Sequence, residues 1–386
     1  MEIAKKNEIN LLMTAKANSP DKFLEMIDMY SSFWKRIFLE ANEKKASDIH
    51  IHQFDFELRI QLRIHGEKIL IESKKGEKNF RDQFINRLKQ IAGFNLSVND
   101  EAQDRAFTLK LTNSRYRGVS SPSTFGEYIV FRIIRETEVP NLNKLNMGEN
   151  TLIEMSKALS MKQGFICITG PTGSGKSNTL QASLMSMNRM SKNIITIEDP
   201  IERILPDITQ QQITDRLTWK QAIKTAMRQD PDVILIGEIR DEESASLALE
   251  AAQTGHLVLS TLHTNDASGV VDRLIGLGVE KRLISENLLY VSAQRLISLL
   301  CPKCKKVAGD FFYTRGKGCQ YCYLGIVGRI PIIEYFTKPH PDSIIHFKKS
   351  EFRKTELKTN LYLECFGLVK KGVVDIEELK NWEEYK

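Results

Sequence analysis

No apolar run in this 386-residue chain approaches the roughly 18 residues needed to span a bilayer. The amino terminus, Met1-Glu-Ile-Ala-Lys-Lys, is not followed by a secretory apolar core, since Ile9 to Met13 is short and leads into polar residues. The expectation is a cytoplasmic protein without direct membrane insertion, held at the inner membrane through partners. Clustered basic charge is scarce as well. The net charge of +6 is spread along the chain, and Lys74-Lys75 and the Lys303 to Lys306 stretch read as solvated faces. With no aromatic-interleaved basic groove, no nucleic-acid partner is expected. Internal repeats and low-complexity tracts are lacking. Cysteine is sparse, six in all, and poorly suited to disulfides in the cytosol, so cysteine spacing is better read as metal chemistry.

What is present is an ordinary globular balance, 41% apolar and 27% charged, in a chain too long for one compact core. Residues 1 to about 44 read as helical. Phe23, Leu24, Ile27, Met29, Phe33, Ile37 and Phe38 share roughly one face, after a start signal at Ser19-Pro20-Asp21. Residues 45–138 read as a small α+β domain. Alternating strands at 48–52 and 56–64 meet a turn at His65-Gly66, a helix follows at 80–94, and alternation returns over 105–134. Turn formers around Pro140 mark a linker, 139–147. Over 148–300, apolar runs at 165–169, 194–197, 233–236 and 257–260 alternate with helices, which implies an α/β domain with a parallel sheet covered on both faces. The stretch 301–322 carries cysteines, and 323–386 reads as polar and helical.

Gly170-Pro171-Thr172-Gly173-Ser174-Gly175-Lys176-Ser177 satisfies G-x-x-x-x-G-K-[ST] between a strand and a helix that begins at Asn178. Gly173 and Gly175 let the backbone curl so that N–H groups face phosphate oxygens, and the helix start adds a positive dipole end. Lys176 places charge on the β- and γ-phosphates, and the Ser177 hydroxyl is a ligand for Mg²⁺. ATP with Mg²⁺ is the expected cofactor set.

Acidic groups follow at strand ends. Ile194 to Ile197 delivers Glu198, Asp199 and Glu202 at the carboxyl edge of the sheet, where ligands of doubly wound folds sit. A plain polar strand-to-loop transition is the competing reading. Val233 to Ile236 is followed by Gly237 and Glu238, a carboxylate able to hold Mg²⁺ through water or to orient the attacking water. Leu257 to Leu262 ends at His263, placed to sense a γ-phosphate. Beyond these, Cys301-Pro-Lys-Cys304 and Cys319-Gln-Tyr-Cys322, separated by 14 residues, form two knuckles that can complete a tetrahedral S₄ site for structural Zn²⁺. Cys167 and Cys365 read as plain buried residues.

Together, the phosphate loop, Thr196-Ile-Glu-Asp-Pro-Ile-Glu202, Arg228 to Asp241 and Gly255 to Asp266 resemble the Walker A, Asp box, atypical Walker B and His box of the secretion and pilus ATPase superfamily. The resemblance runs from Ala46-Ser-Asp-Ile-His50-Ile to about Phe336. Ala293-Gln-Arg-Leu and Gly318 to Arg329 look like the surroundings of the tetracysteine site in assembly and type II secretion ATPases; retraction ATPases generally lack those cysteines. The likeness implies a RecA-like core, a PAS-like small domain and a homo-hexamer. In that hexamer Arg105, Arg117 and Arg132 reach a neighbouring subunit's phosphates, and motion passes to an inner-membrane platform protein. Retraction or type IV secretion is the alternative it leaves. The chain departs from the family at His65-Gly66, where Asp-Gly is usual, and in a shorter amino-terminal region.

Overall fold

The computed structural model describes residues 20–75, 78–134, 139, 141–309 and 312–385, with side chains from Ser32 onward. Residues 1–19 of the expected helical segment and the linker's Pro140 lie outside the described residues, as do the side chains of Phe23, Leu24, Ile27 and Met29. The chain divides into two compact units, Met1–Thr137 and Glu138–Lys386.

In the first unit, α1 (Pro20–Glu43) precedes β1 (Asp48–Gln53), β2 (Glu57–Ile64) and β3 (Glu67–Lys75). Helix α2 (Lys78–Ala92) then leads to β4 (Gln103–Leu109), β5 (Ser114–Ser123) and β6 (Gly126–Ile134). The strands pair antiparallel in the order β3-β2-β1-β6-β5-β4. Period-two alternation sends Leu58, Ile60, Leu62 and Ile64 to one face. That face is covered by α1 and α2: Phe33 meets Phe84 at 4.9 Å and Phe38 meets Phe131 at 5.3 Å between ring centroids. The amino-terminal helix, expected as a segment of its own, therefore shares the sheet's core. At the β2–β3 turn His65 (φ 50°) and Gly66 (φ 91°) are both left-handed, the requirement of a two-residue type I′ hairpin. His65 meets it in place of the usual Asp, and Ile64 still pairs with Glu67.

The second unit is built on a seven-stranded sheet, whose first strands are β7 (Gly164–Thr169), β8 (Ile194–Glu198), β9 (Thr209–Gln212), β10 (Val233–Ile236) and β11 (Leu257–Leu262). Two further strands, β12 (Leu288–Leu300) and β15 (Ile326–Thr337), complete it, and a small hairpin of β13 (Lys306–Val307) and β14 (Tyr313–Thr314) lies between them in sequence. The order is β15-β12-β7-β11-β10-β8-β9, parallel except for β12 against β15. Phe165, Ile234 and Val258 pack on one face, and Ile166, Val233, Leu235 and Leu259 on the other. Burial on both faces is why these strands read as continuous apolar runs.

One expectation changes here, and one strand is added. The segment 323–386, read as polar and helical, contains β15, whose Ile330 to Phe336 stretch is buried. Gly328, Arg329 and Pro331 break its apolar pattern, and an antiparallel edge tolerates such residues. After the helices between the earlier strands, α3 (Glu149–Leu159), α4 (Lys176–Ser186), α5 (Trp219–Ala226), α6 (Glu242–Gln253), α7 (Ser268–Gly276) and α8 (Lys281–Asn287), helices do follow β15, at α9 (Pro341–Ile345), α10 (Lys349–Glu356) and α11 (Leu361–Lys370). Strand β12 also joins the sheet, its alternating Ser292 and Gln294 buried but hydrophilic. The two long strands share a core with α11 through Ile297, Ile330, Ile332, Leu361, Cys365 and Val369.

Candidate functional site

Parallel register brings the carboxyl ends of β7, β11, β10 and β8 to one edge, with Thr169 opposite Leu262, Ile236 opposite Ser260, and Ile236 opposite Ile197. The phosphate loop, His263, Glu238 and Glu198 follow those four strands in that spatial order.

The loop passes from β7 into α4 (Lys176–Ser186). Gly170, Gly173 and Gly175 all have positive φ (144°, 80° and 87°). The need for glycine is strongest at Gly170, where an added Cβ would lie 2.5 Å from the Gln294 carbonyl oxygen. Lys176 is buried, and its Nζ donates to the carbonyls of Gly170 (2.7 Å) and Pro171 (3.1 Å). Burial holds its pKa below the ordinary lysine value, and the Glu238 carboxylate pulls the other way. Pro171, Thr172, Gly173 and Ser177 are exposed, while the Ser174 hydroxyl is buried with no hydrogen-bond partner among the described residues. An orphaned hydroxyl in a glycine loop is chemistry that suits a phosphate acceptor. Asn178 instead accepts a hydrogen bond from Arg203 (3.0 Å), which ties the loop after Glu202 to α4.

Glu238 has Arg240 bonded to one oxygen and His263 Nε2 3.8 Å from the other. The pairing raises the Arg240 pKa. Burial, then Lys176, lower that of His263, so its imidazole is neutral at pH 7. Lys176, Glu238 and His263 thus form one electrostatic group. The other two carboxylates differ from it. Glu198 is buried and accepts from Thr196 Oγ1 (2.6 Å) and Gln210 Nε2 (3.0 Å), which pins β8 to β9. Glu202 is exposed in the following loop.

Beyond His263, the Thr264 amide donates to Thr169 Oγ1 (2.8 Å). Asp266 binds Lys349 at 2.8 Å, and Arg353 bridges Asp266 to the fully buried Glu334. The loop carrying His263 is thereby tied to β7 and to helix α10. Arg295 on β12 donates to the Asn265 carbonyl (2.7 Å).

The three arginines of the first unit do not form one group. Arg117 lies opposite Arg132 across β5 and β6, while Arg105 lies opposite Gly118, so Arg105 is on the other face of the sheet. Arg117 makes a forked contact to Asp104, including a 2.6 Å bond, and Arg132 Nε reaches Asp48 at 3.2 Å. Like charges directly across a sheet repel, and each of these carries its own carboxylate counter-ion.

All four predicted cysteines come together. Their sulfurs lie within 4.8 Å of one another, with Cys301–Cys319 at 3.8 Å, Cys304–Cys322 at 3.5 Å and Cys319–Cys322 at 3.6 Å. A tetrahedral zinc with Zn–S of about 2.3 Å has S···S edges of about 3.8 Å. The donor set and its spacing fit that ion. Asp375 accepts from Thr314 Oγ1 (3.0 Å) and the Arg315 amide (2.7 Å), which fastens the cysteine hairpin to the carboxyl-terminal segment. Cys167 and Cys365 are buried apart from this cluster.

The residue that sequence reasoning missed is Gln294, which contacts the phosphate loop from β12. No local pattern in the sequence marks it, because its partners are on a loop and helix more than 100 residues away.

Comparison with known proteins follows the same lines. Residues 27–381 match the family described as Type II/IV secretion system protein. The chain is 39% identical over 352 residues to the protein transport protein HofB homolog of Haemophilus influenzae, covering 90% of this chain and 71% of that one. It is 39% identical over 315 residues to type II secretion system protein E of Dickeya dadantii, covering 76% and 63%. With the type IV pilus assembly ATPase PilB of Myxococcus xanthus it shares 35% over 359 residues, covering 86% and 62%. The matched region thus spans 62–71% of the length of these relatives. Among solved structures, the ADP-bound pilus retraction motor PilT aligns at TM-score 0.62 with 25% identity, covering 90% of this chain and 96% of that one. The Legionella pneumophila ATPase DotB aligns at 0.70 with 20% identity, covering 91% and 95%, a likeness of fold.

Proposed function

The chain belongs to the type II/IV secretion system protein family, and on that premise we propose that it is a Mg²⁺-dependent ATP hydrolase working as a homo-hexameric motor. The cargo we assign is a growing type IV pilus or a type II secretion pseudopilus. The observation that carries the hydrolase reading is the convergence of Lys176, Glu238 and His263 beside the glycine loop. Loop amides and the α4 amino terminus receive the β- and γ-phosphates, and Lys176 transfers its Nζ from the Gly170 and Pro171 carbonyls to them. Ser177, exposed at the loop mouth, is the side chain that would hold Mg²⁺, which when bound neutralises phosphate charge. Glu238 orients the attacking water, and neutral His263 donates a hydrogen bond toward the γ-phosphate without competing with Lys176 for its charge. Glu198 keeps the Asp-box strand in register, and Glu202 is the further carboxylate in reach of solvent.

Zinc, held by Cys301, Cys304, Cys319 and Cys322, is the proposed structural ion. Those cysteines favour assembly or type II secretion over retraction. Among the described residues no helix is long and apolar enough to cross a membrane. Attachment to the inner membrane through a platform protein is the proposal consistent with that.

Arg117 and Arg132, side by side on an exposed face, are proposed to serve a neighbouring subunit's nucleotide. A guanidinium neutralises charge developing on a transferring phosphoryl group. Mixing Lys176→Ala with Arg132→Ala chains tests this, because some mixed interfaces pair an intact loop with an intact arginine. Each variant alone is expected to be inactive and the mixture to recover activity. A mixture as inactive as its parts, with hexamers formed, would exclude service in trans.

A further inference from the structure

Gln294 sits on β12 immediately beyond Ala293, which pairs with Thr169, the last residue of β7. It therefore lies beside the point at which the phosphate loop begins. Its side chain is 1% exposed, and both ends of its amide are engaged. Nε2 donates to the Ser174 carbonyl at 2.7 Å, and Oε1 accepts from Thr179 Oγ1 at 2.9 Å. One planar group thus joins the crown of the loop to the first turn of α4.

The two loop glycines that need no side chain here are those nearest to Gln294. A Cβ on Gly175 would lie 2.9 Å from its Nε2, and one on Gly170 would lie 2.5 Å from its carbonyl oxygen. The loop is closed down on this residue from both ends. In a trans peptide the C=O and the following N–H point in opposite directions. Drawing the Ser174 carbonyl toward Gln294 therefore turns the Gly175 N–H the other way, away from β12, which leaves it available to an anion received by the loop.

We propose that Gln294 is the positioning residue of the phosphate loop, a latch that sets its amides for a nucleoside polyphosphate without touching the nucleotide. This rests on the nucleotide reading of the site. Because the latch shapes the loop before substrate arrives, its loss acts on nucleotide affinity more than on the chemical step. Gln294→Met keeps the volume and removes both hydrogen bonds. Thr179→Val removes the second arm, together with the same hydroxyl's 3.2 Å contact to the Gly175 carbonyl, with little change of shape.

Binding of a fluorescent ADP analogue and steady-state phosphate release, measured on the full chain, read the outcome. Thermal unfolding without nucleotide and zinc content serve as checks on the fold. Gln294→Met is expected to weaken ADP binding and raise KM by the same factor, about tenfold, with kcat changed less than threefold. Thr179→Val should shift the same two quantities in the same direction by a smaller factor. If Gln294→Met does not fold, Thr179→Val alone decides. A folded variant that binds ADP within twofold of wild type, or that loses kcat with KM unchanged, overturns the latch. A wild-type chain that fails to bind the analogue overturns the nucleotide reading and the latch with it, whereas wild-type binding with an indifferent Gln294→Met overturns the latch alone.

Discussion

Lys176→Ala is expected to lose both tight nucleotide binding and turnover, whereas Glu238→Gln is expected to keep binding and lose turnover by a factor on the order of 10²–10³. The contrast follows from where the two side chains lie. Lys176 is buried inside the loop, its cation held among loop carbonyls that a phosphate would replace. Removing it takes away a charge that both substrate and product feel. Glu238 stands across the site, between Arg240 and His263, where the amide isostere preserves shape and most hydrogen bonding. What the amide lacks is the charge that orients a nucleophile, so the effect falls on kcat. Phosphate release and ADP affinity measured side by side separate the two. A Glu238→Gln chain that turns over at the wild-type rate would move the role elsewhere. Glu202 would then be the stronger candidate, because Glu198 already accepts two hydrogen bonds within the sheet.

Loss of the cysteine site should be equally large, and local. Purified chain is expected to carry about one zinc per subunit, and Cys301→Ser with Cys319→Ser to carry none. Structural zinc sites bind with about 10–16 kcal/mol near neutral pH, and that binding energy is folding energy for the segment around them. The hairpin β13–β14 is two residues per strand, too small to stand alone. Its outside supports are chiefly Asp375 and the Lys305 contact to the Gly372 carbonyl. Limited proteolysis within 301–325 should therefore accelerate sharply, while ADP affinity changes less than threefold. Zinc content that survives the double substitution would rule the site out.

How far the sequence carried these conclusions depends on the range of the interactions involved. The phosphate loop is local, so eight consecutive residues announce it. The four cysteines are nearly as legible, since a two-residue spacing forces each pair into a knuckle. Strands β7, β8, β10 and β11 were readable because burial on both faces leaves an uninterrupted apolar run. Strands β12 and β15 were not, because their buried faces include the hydrophilic Ser292 and also Gln294 and Glu334, whose partners are far along the chain. Gln294 reaches a loop 120 residues away, a distance at which no sequence pattern operates. Three arginines in alternating strands looked equivalent, and cross-strand register, unavailable without the fold, puts Arg105 on the opposite face from Arg117 and Arg132. The three carboxylates likewise separated only when Glu198 was found pinned to Gln210.

The central claim is that this site hydrolyses ATP only when chains assemble. Phosphate release by the purified chain with Mg²⁺ and ATP, measured across protein concentration beside Lys176→Ala, addresses it directly. A ligand that bridges subunits stabilises their assembly by mass action, so specific activity should rise with concentration as hexamers form, then level off, with none in Lys176→Ala. Activity that is constant from monomer to hexamer, or equal in Lys176→Ala, would contradict the account.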